Sequence, residues 1–265
     1  INTDKNTKKD LFIDCQNLTF VSRHKAATMP VVSVITSTCN RARFIPRLIE
    51  MYRKQTFPHE EMEWLILDDG EEPIEHYFKP QSIRLPNIRY AKLSQKLTMG
   101  QKLNLLTKEA KGEILVVMDD DDYYPPSRVE EAVKALEANP TVHVAGCSLV
   151  YLYFTDSNSI CSTGPYSDNH ALNCTMAFRK SYCENHQYDN AETCAVERLF
   201  LNDYTEPMIQ LEPDKTILHI IHSTNTFNAM KARKNGTLGL CNPTKRKLES
   251  FISEKLVRLA FVDSY

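Results

Sequence analysis

Residues 112–126 read GEILVVMDDDDYYPP, and this stretch decides the fold. Ile114 to Met118 is a short run of apolar, partly β-branched residues, the composition of a strand buried on both faces of a parallel sheet. It stops on four consecutive aspartates. Two carboxylates about 4 Å apart repel by roughly 4 kcal/mol at an effective dielectric of 20, so such a run either splays into water as a solvated turn or is held by a cation. The strand directly ahead favours the cation, because ligands of open parallel α/β sheets bind at the carboxyl ends of strands. Oxygen ligands suit Mg²⁺ or Mn²⁺, which complete their shells with water and substrate phosphates.

Working outward, the same pattern recurs upstream. Val31–Ile35 (VVSVI) is a strand that ends in the polar cluster TSTCNR and is followed by a helical pattern over Pro46–Gln55. Trp64–Leu67 (WLIL) is a second strand that stops at Asp68-Asp69-Gly70, Ile88–Leu93 a third, and Gly100–Lys111 a helix. Strands alternating with helices predict a mostly parallel sheet with right-handed crossovers. Downstream, Ser127 and Glu130 have the spacing of a capping box opening a helix that ends at Asn139-Pro140. Val142–Phe154 is rich in β-branched and aromatic residues, and the Ser/Asn/Asp/Gly stretch that follows to Asn169 reads as a long surface loop near a site. Cys174–Phe178 and Thr216–Ile221 read as strands, with a helix near Ala195–Leu201 between them. The C-terminal KRKLESFISEKLVRLAF places Leu248, Phe251, Ile252, Leu256, Leu259 and Ala260 on one helical face, as a packing helix.

Three motifs in order, PVVSVITSTCNR, WLILDDG and MGQKLNLLTKEAKGEILVVMDDDDYYPP, resemble the nucleotide-binding half of the family 2 glycosyltransferases over roughly residues 30–135. The resemblance implies a GT-A fold: α/β, a mostly parallel central sheet flanked by helices, in one domain with a C-terminal helix. It divides the chain into an extension (1–29), a catalytic domain (30–240, donor half 30–135, acceptor half 136–240) and the helix (241–265). It also implies transfer of a sugar from a nucleotide diphosphate, UDP being the expected nucleotide, to a hydroxyl of a glycan or other acceptor, with inversion and with Mn²⁺ or Mg²⁺ as cofactor. Residue by residue, Asp119 and Asp121 match the DxD pair, Asp121 as direct metal ligand and Asp119 nearer the ribose, with Asp120 between them in the donor site. Asp69 matches the carboxylate that reads the base. Ser37, Asn40 and Arg41 fall in the first donor loop, and Lys102 and Asn104 in the stretch beside the donor phosphates. His222 matches the histidine that completes the metal shell. Glu197 matches the catalytic base at the start of a helix, with Glu192 in reserve. In the first loop Cys39 stands where several members carry an aromatic ring that stacks on the base.

The 265 residues carry 32 basic and 34 acidic side chains, a net charge of -2, with 42% hydrophobic residues. That balance, without a dense basic stripe, argues against nucleic-acid binding. No stretch approaches the roughly 20 apolar residues of a membrane span. Eight cysteines without a C-x-x-C pair argue against a zinc ribbon and are expected to be reduced thiols in a cytoplasmic protein. The chain begins at Ile1, which reads as part of a longer polypeptide. Two other enzyme readings lose ground on glycine: TSTCNRARF lacks the Gly-rich loop of a nucleotidyltransferase, and no G-x-G-x-x-G occurs for a Rossmann dehydrogenase. An inactive sugar-binding scaffold remains the alternative to an enzyme.

Overall fold

The computed structural model describes residues 20–22, 29–79, 85–235, 239, 241–255 and 258. In chain order the elements are β1 (Val21–Ser22), β2 (Val32–Thr38), α1 (Ile45–Arg53), β3 (Met62–Asp68), β4 (Ile88–Lys92), α2 (Met99–Glu109), β5 (Ile114–Val117), α3 (Arg128–Ala138) and β6 (Val144–Gly146). There follow β7 (Val150–Phe154), β8 (Ser159–Thr163), β9 (Ala177–Arg179), α4 (Glu197–Phe200), β10 (Met208–Gln210), α5 (Pro213–Thr216), β11 (Leu218–Ile221), α6 (Ala229–Lys234) and β12 (Asn242–Pro243). The main sheet has the order β1-β4-β3-β2-β5-β9-β6-β10, and a smaller one has β11-β7-β8-β12.

The centre of the main sheet is parallel: β2 pairs β3 from Val32↔Met62 to Thr38↔Asp68, and β5 from Val32↔Ile114 to Ile35↔Val117. This register brings the carboxyl ends of three strands to one edge, so Thr38, Asp68 and the aspartates after Val117 emerge side by side. Successive residues alternate faces. Val34, Trp64, Ile66 and Val116 pack with Leu48 of α1 and Val129 of α3, while Ile35, Leu65, Leu67 and Val117 pack with Leu103 and Leu106 of α2. Trp64, fully buried, stacks on Tyr52 with centroids 4.6 Å apart. Its Nε1 donates to Thr36 Oγ1 (3.0 Å), whose hydroxyl donates to Met118 O (2.7 Å), so the ring also pins the residue before the acidic run.

Several local expectations change or sharpen. Val142–Phe154 divides into β6 and β7, which lie in different sheets. The break falls at Cys147 and Ser148, whose N–H groups are taken by Thr175 Oγ1 (2.9 Å) and Gln210 Oε1 (2.8 Å) rather than by a neighbouring strand. The expected loop up to Asn169 contains β8, which forms an antiparallel hairpin with β7. Ser127 makes no capping hydrogen bond, because its backbone is already helical (φ -81°, ψ -4°) and Glu130 instead accepts from Thr56 Oγ1 at 2.6 Å. A capping box does form at Thr98 and Gln101, opening α2. In the C-terminal segment the chain makes β12 and a 3-10 turn over Leu248–Ser250 where helix is expected, and Leu256, Leu259 and Ala260 lie outside the described residues. Of the N-terminal extension, β1 adds antiparallel to the edge strand β4, and Phe20 lies against Arg89.

Candidate active site

The three strand-end loops meet at one place. Gly70 is required there, since a Cβ would come within 2.6 Å of Asn40 N. Asn40, at φ 55°, accepts from Glu71 N (2.7 Å) and so ties the first loop to the second. Asp68 is fully matched by Tyr90 OH (2.7 Å) and Gly70 N (2.8 Å). Asp69, buried, takes Lys102 Nζ at 3.0 Å on one oxygen and Leu97 N at 2.9 Å on the other. Lys102, expected beside donor phosphates, thus forms a buried ion pair with the carboxylate expected to read the base. Cys39 hydrogen-bonds to Asp69, and burial together with that carboxylate pushes its thiol pKa up. Ser37, also buried, hydrogen-bonds to Met99 Sδ at 3.1 Å.

The four aspartates have four different environments. Asp119 is half-buried and its N–H donates to Tyr124 OH (2.8 Å). Burial and then its three neighbours push its carboxyl up to about 8. Asp120 is held by Thr38 Oγ1 (2.6 Å) and Arg41 Nη1 (2.8 Å); burial still raises its carboxyl to about 6. Asp121 faces Arg41 Nη1 at 2.7 Å, His222 Nε2 at 3.0 Å and Asn225 Nδ2 at 3.3 Å, all on Oδ2. Burial opposes its charge, but the His222 hydrogen bond and Arg41 hold its pKa below the ordinary carboxylate value. Asp122 is turned inward, where its Oδ1 accepts from Ile220 N and pairs with His219 Nδ1, both at 2.8 Å.

His222, buried, receives Thr224 Oγ1 (3.0 Å) and N (3.3 Å) on Nδ1. A ring protonated on Nε2 accounts for these contacts: Nε2–H donates to the Asp121 carboxylate, and Nδ1 accepts from the Thr224 N–H and hydroxyl. Thr224 also binds Arg41 through its carbonyl (3.1 Å) and Arg43 through its hydroxyl (2.8 Å), so the segment after β11 is tied to the first donor loop.

Besides the segment after β11, the acceptor half reaches the donor side through the loop at 188–190. Asn104 spends its amide on Tyr188 O (2.8 Å), Asn190 Oδ1 (2.9 Å) and Tyr188 N (2.9 Å), so it anchors the loop at 188–190. Gly100 lets that loop approach α2, because a Cβ would stand 1.8 Å from Asp189 O. Glu192 is exposed and its carbonyl accepts from Gly100 N (3.1 Å). Glu197, 6% exposed, opens α4, and burial raises its carboxyl pKa. A separate cavity of about 750 Å³, lined by Lys108, Lys111, Arg179 and Lys180 among others, lies at the amino end of β5 and includes none of these carboxylates.

Sequence reasoning singled out neither Thr38 nor Arg47, and it preferred a solvated loop over a diphosphate cover for STNTF, which holds Thr224 and Asn225; Arg47 Nη2 donates to Asp121 O at 3.1 Å. Asn225 carried a signal, since it lies three residues beyond His222 and bonds His222 N through its own Oδ1 (2.6 Å).

Residues 33–202 match the family "Glycosyl transferase family 2". The chain belongs to glycosyl transferase family 2. This family 2 member is 28% identical over 129 residues to an uncharacterized glycosyltransferase of Haemophilus influenzae, a stretch covering 47% of this chain and 42% of that protein. It is 26% identical over 113 residues to the poly(ribitol-phosphate) β-N-acetylglucosaminyltransferase TarS of Staphylococcus aureus, covering 40% of this chain and 18% of TarS. The matched stretches thus span less than half of either relative. Among solved structures, S. aureus TarS 1–349 in complex with UDP-GlcNAc superposes with a TM-score of 0.58 at 18% identity, over 73% of this chain and 59% of that one. The mannosyltransferase PcManGT of Pyrobaculum calidifontis, in complex with GDP-Man and Mn²⁺, gives 0.60 at 15% identity over 94% and 73%. The family 2 chain therefore has the expected GT-A fold. Among the described residues no helix is long and apolar enough to cross a membrane.

Proposed function

We propose that this family 2 chain transfers a sugar from a nucleotide diphosphate, with uridine as the base, to a hydroxyl of a glycan or glycoconjugate, inverting the anomeric centre. The observation that carries the reading is Asp121: a buried carboxylate at the end of a parallel strand, kept ionised by Arg41 and His222 beside three more aspartates. The named relatives and the nucleotide-sugar complexes of TarS and PcManGT support the same class.

Asp121 and His222, in contact at 3.0 Å, fit a divalent cation as a carboxylate and an imidazole among crowded negative charge, and Asp119 is the second carboxylate we assign to it. Mn²⁺ suits that oxygen-rich set with one nitrogen. Bound there, the cation would offset the negative charge of the donor's diphosphate. The chain's own groups do the rest. Asp69, oriented by Lys102 and Leu97 N, presents a fixed carboxylate edge to the base. Arg41 and Arg43 border the same cleft and supply positive charge as the leaving diphosphate develops its own. Glu197 takes the acceptor's proton as its oxygen attacks the anomeric carbon opposite the departing nucleotide; burial raises its basicity toward neutral pH, where a general base works best.

The test is a binding and hydrolysis panel of UDP-, GDP- and dTDP-sugars with and without Mn²⁺. Stabilisation and turnover by one nucleotide class, dependent on Mn²⁺, are expected, with Glu197→Gln lowering turnover about 10²–10⁴-fold while donor binding persists. Silence toward every nucleotide would move the chain to the scaffold reading.

A further inference from the structure

Directly behind the donor carboxylates lies a second cluster of different chemistry. Asp122 comes from the loop after β5, Cys174 from the 3-10 turn at Asn173–Thr175, and His219 from β11 of the smaller sheet. One ligand atom from each lies within 4.8 Å of the other two. Asp122 is fully buried and its Oδ2 has no hydrogen-bond partner among the described residues, although its Oδ1 has two. A buried carboxylate oxygen without a partner costs about 1–3 kcal/mol or more, so it is an atom whose surroundings call for an explanation.

We infer that Asp122, Cys174 and His219 form a metal centre separate from the donor site, built for a thiophilic divalent ion of the zinc type. The donor set decides the class. A thiolate, an imidazole and a carboxylate are the ligands of a borderline-soft ion, whereas Mn²⁺ and Mg²⁺ prefer oxygen. Without an ion the thiol has no reason to ionise: burial pushes Cys174 up to about 12, which also removes it as a nucleophile despite its hydrogen bond to His219. His219 is the member of the cluster that meets solvent, its side chain 26% exposed, while Asp122 is closed off. Such an ion would staple the acidic loop to β11 and to the turn ahead of β9.

The inference is independent of glycosyl transfer and is tested on the reduced, metal-stripped full chain titrated with Co²⁺ without oxygen. One equivalent is expected to give a thiolate-to-cobalt charge-transfer band with the intensity of a tetrahedral site, displaced by Zn²⁺. The band is expected to vanish in Cys174→Ser and to persist in Asp121→Ala and Cys39→Ser. Absence of the band in the wild-type chain would overturn the inference, whatever the fate of the variants. So would a band that survives in Cys174→Ser, or one lost in Cys39→Ser.

Discussion

The main sheet buries carboxylates at both ends, and the two ends treat them differently. At the amino end Glu63 accepts Ser33 Oγ (2.6 Å) and Lys111 N (2.6 Å) on one oxygen and Arg89 Nη1 (3.0 Å) on the other, while Arg89 also reaches Glu109 Oε2 (3.3 Å). At the carboxyl end Asp119 to Asp122 face Arg41 and His219, and Asp122 keeps an unmatched oxygen. Both ends use the same groups. Where the chain supplies every partner the charges hold the fold, and where it leaves negative charge in excess the partner must come from outside.

Breaking a fully matched buried pair should cost most. Glu63→Ala leaves Arg89 only the partly exposed Glu109 as counter-charge and is expected to destabilise by about 3 kcal/mol in urea unfolding, with donor binding retained at temperatures where the variant is folded. At the other end, Asp121→Asn is expected to lower sugar-donor turnover about 10²–10³-fold. Its thermal midpoint without metal should fall only slightly, because Arg41 and His222 stabilise the ionised carboxylate but Arg41 keeps Asp120 as a partner. A variant pair with these effects exchanged would abolish the distinction between the ends.

Smaller effects sharpen the boundary. Thr98→Ala removes the capping box of α2 and the bond to Asn190 O (2.7 Å), so a loss of about 1 kcal/mol is expected, with the reserve of activity reporting how firmly loop 188–190 must be held. The pH dependence follows from Asp119. In the folded chain its carboxyl keeps a proton up to about 8, whereas an unfolded aspartate loses it near pH 4, at about 3.9. The folded state therefore binds more protons across that window, and stability falls as pH rises from about 4 to about 8. The thermal midpoint of the metal-free chain should drop across it, and less steeply in Asp119→Asn.

The half of the site carried by short strands was legible from sequence, because VVSVI, WLIL and ILVVM each end on polar residues and parallel register aligns such ends. Glu197 at the start of a helix was legible in position. What was hidden depends on distant partners. The register of MDDDDYYPP singled out Asp119 and Asp121 through the resemblance, but nothing in it tells where Asp122 goes; His219 and Ile220 hold that carboxylate inward. Lys102 and Asn104 were placed by motif beside phosphates, but their hydrogen bonds go to Asp69 and Tyr188. The strand β8 was concealed by the serines and asparagine around it, since its pairing with β7 comes from the hairpin rather than from its own composition.

The acidic loop also has a place in time. Its partners His219, Ile220, His222 and Asn225 lie 97 to 104 residues further along the chain. During synthesis at about 5–20 residues per second, the four carboxylates wait at least several seconds before those partners exist. The parallel core can assemble in that interval and Asp120 can find Thr38 and Arg41, but Asp121 and Asp122 cannot take up their separate orientations until β11 arrives. A nascent chain halted before residue 218 would hold a formed sheet and an unformed site.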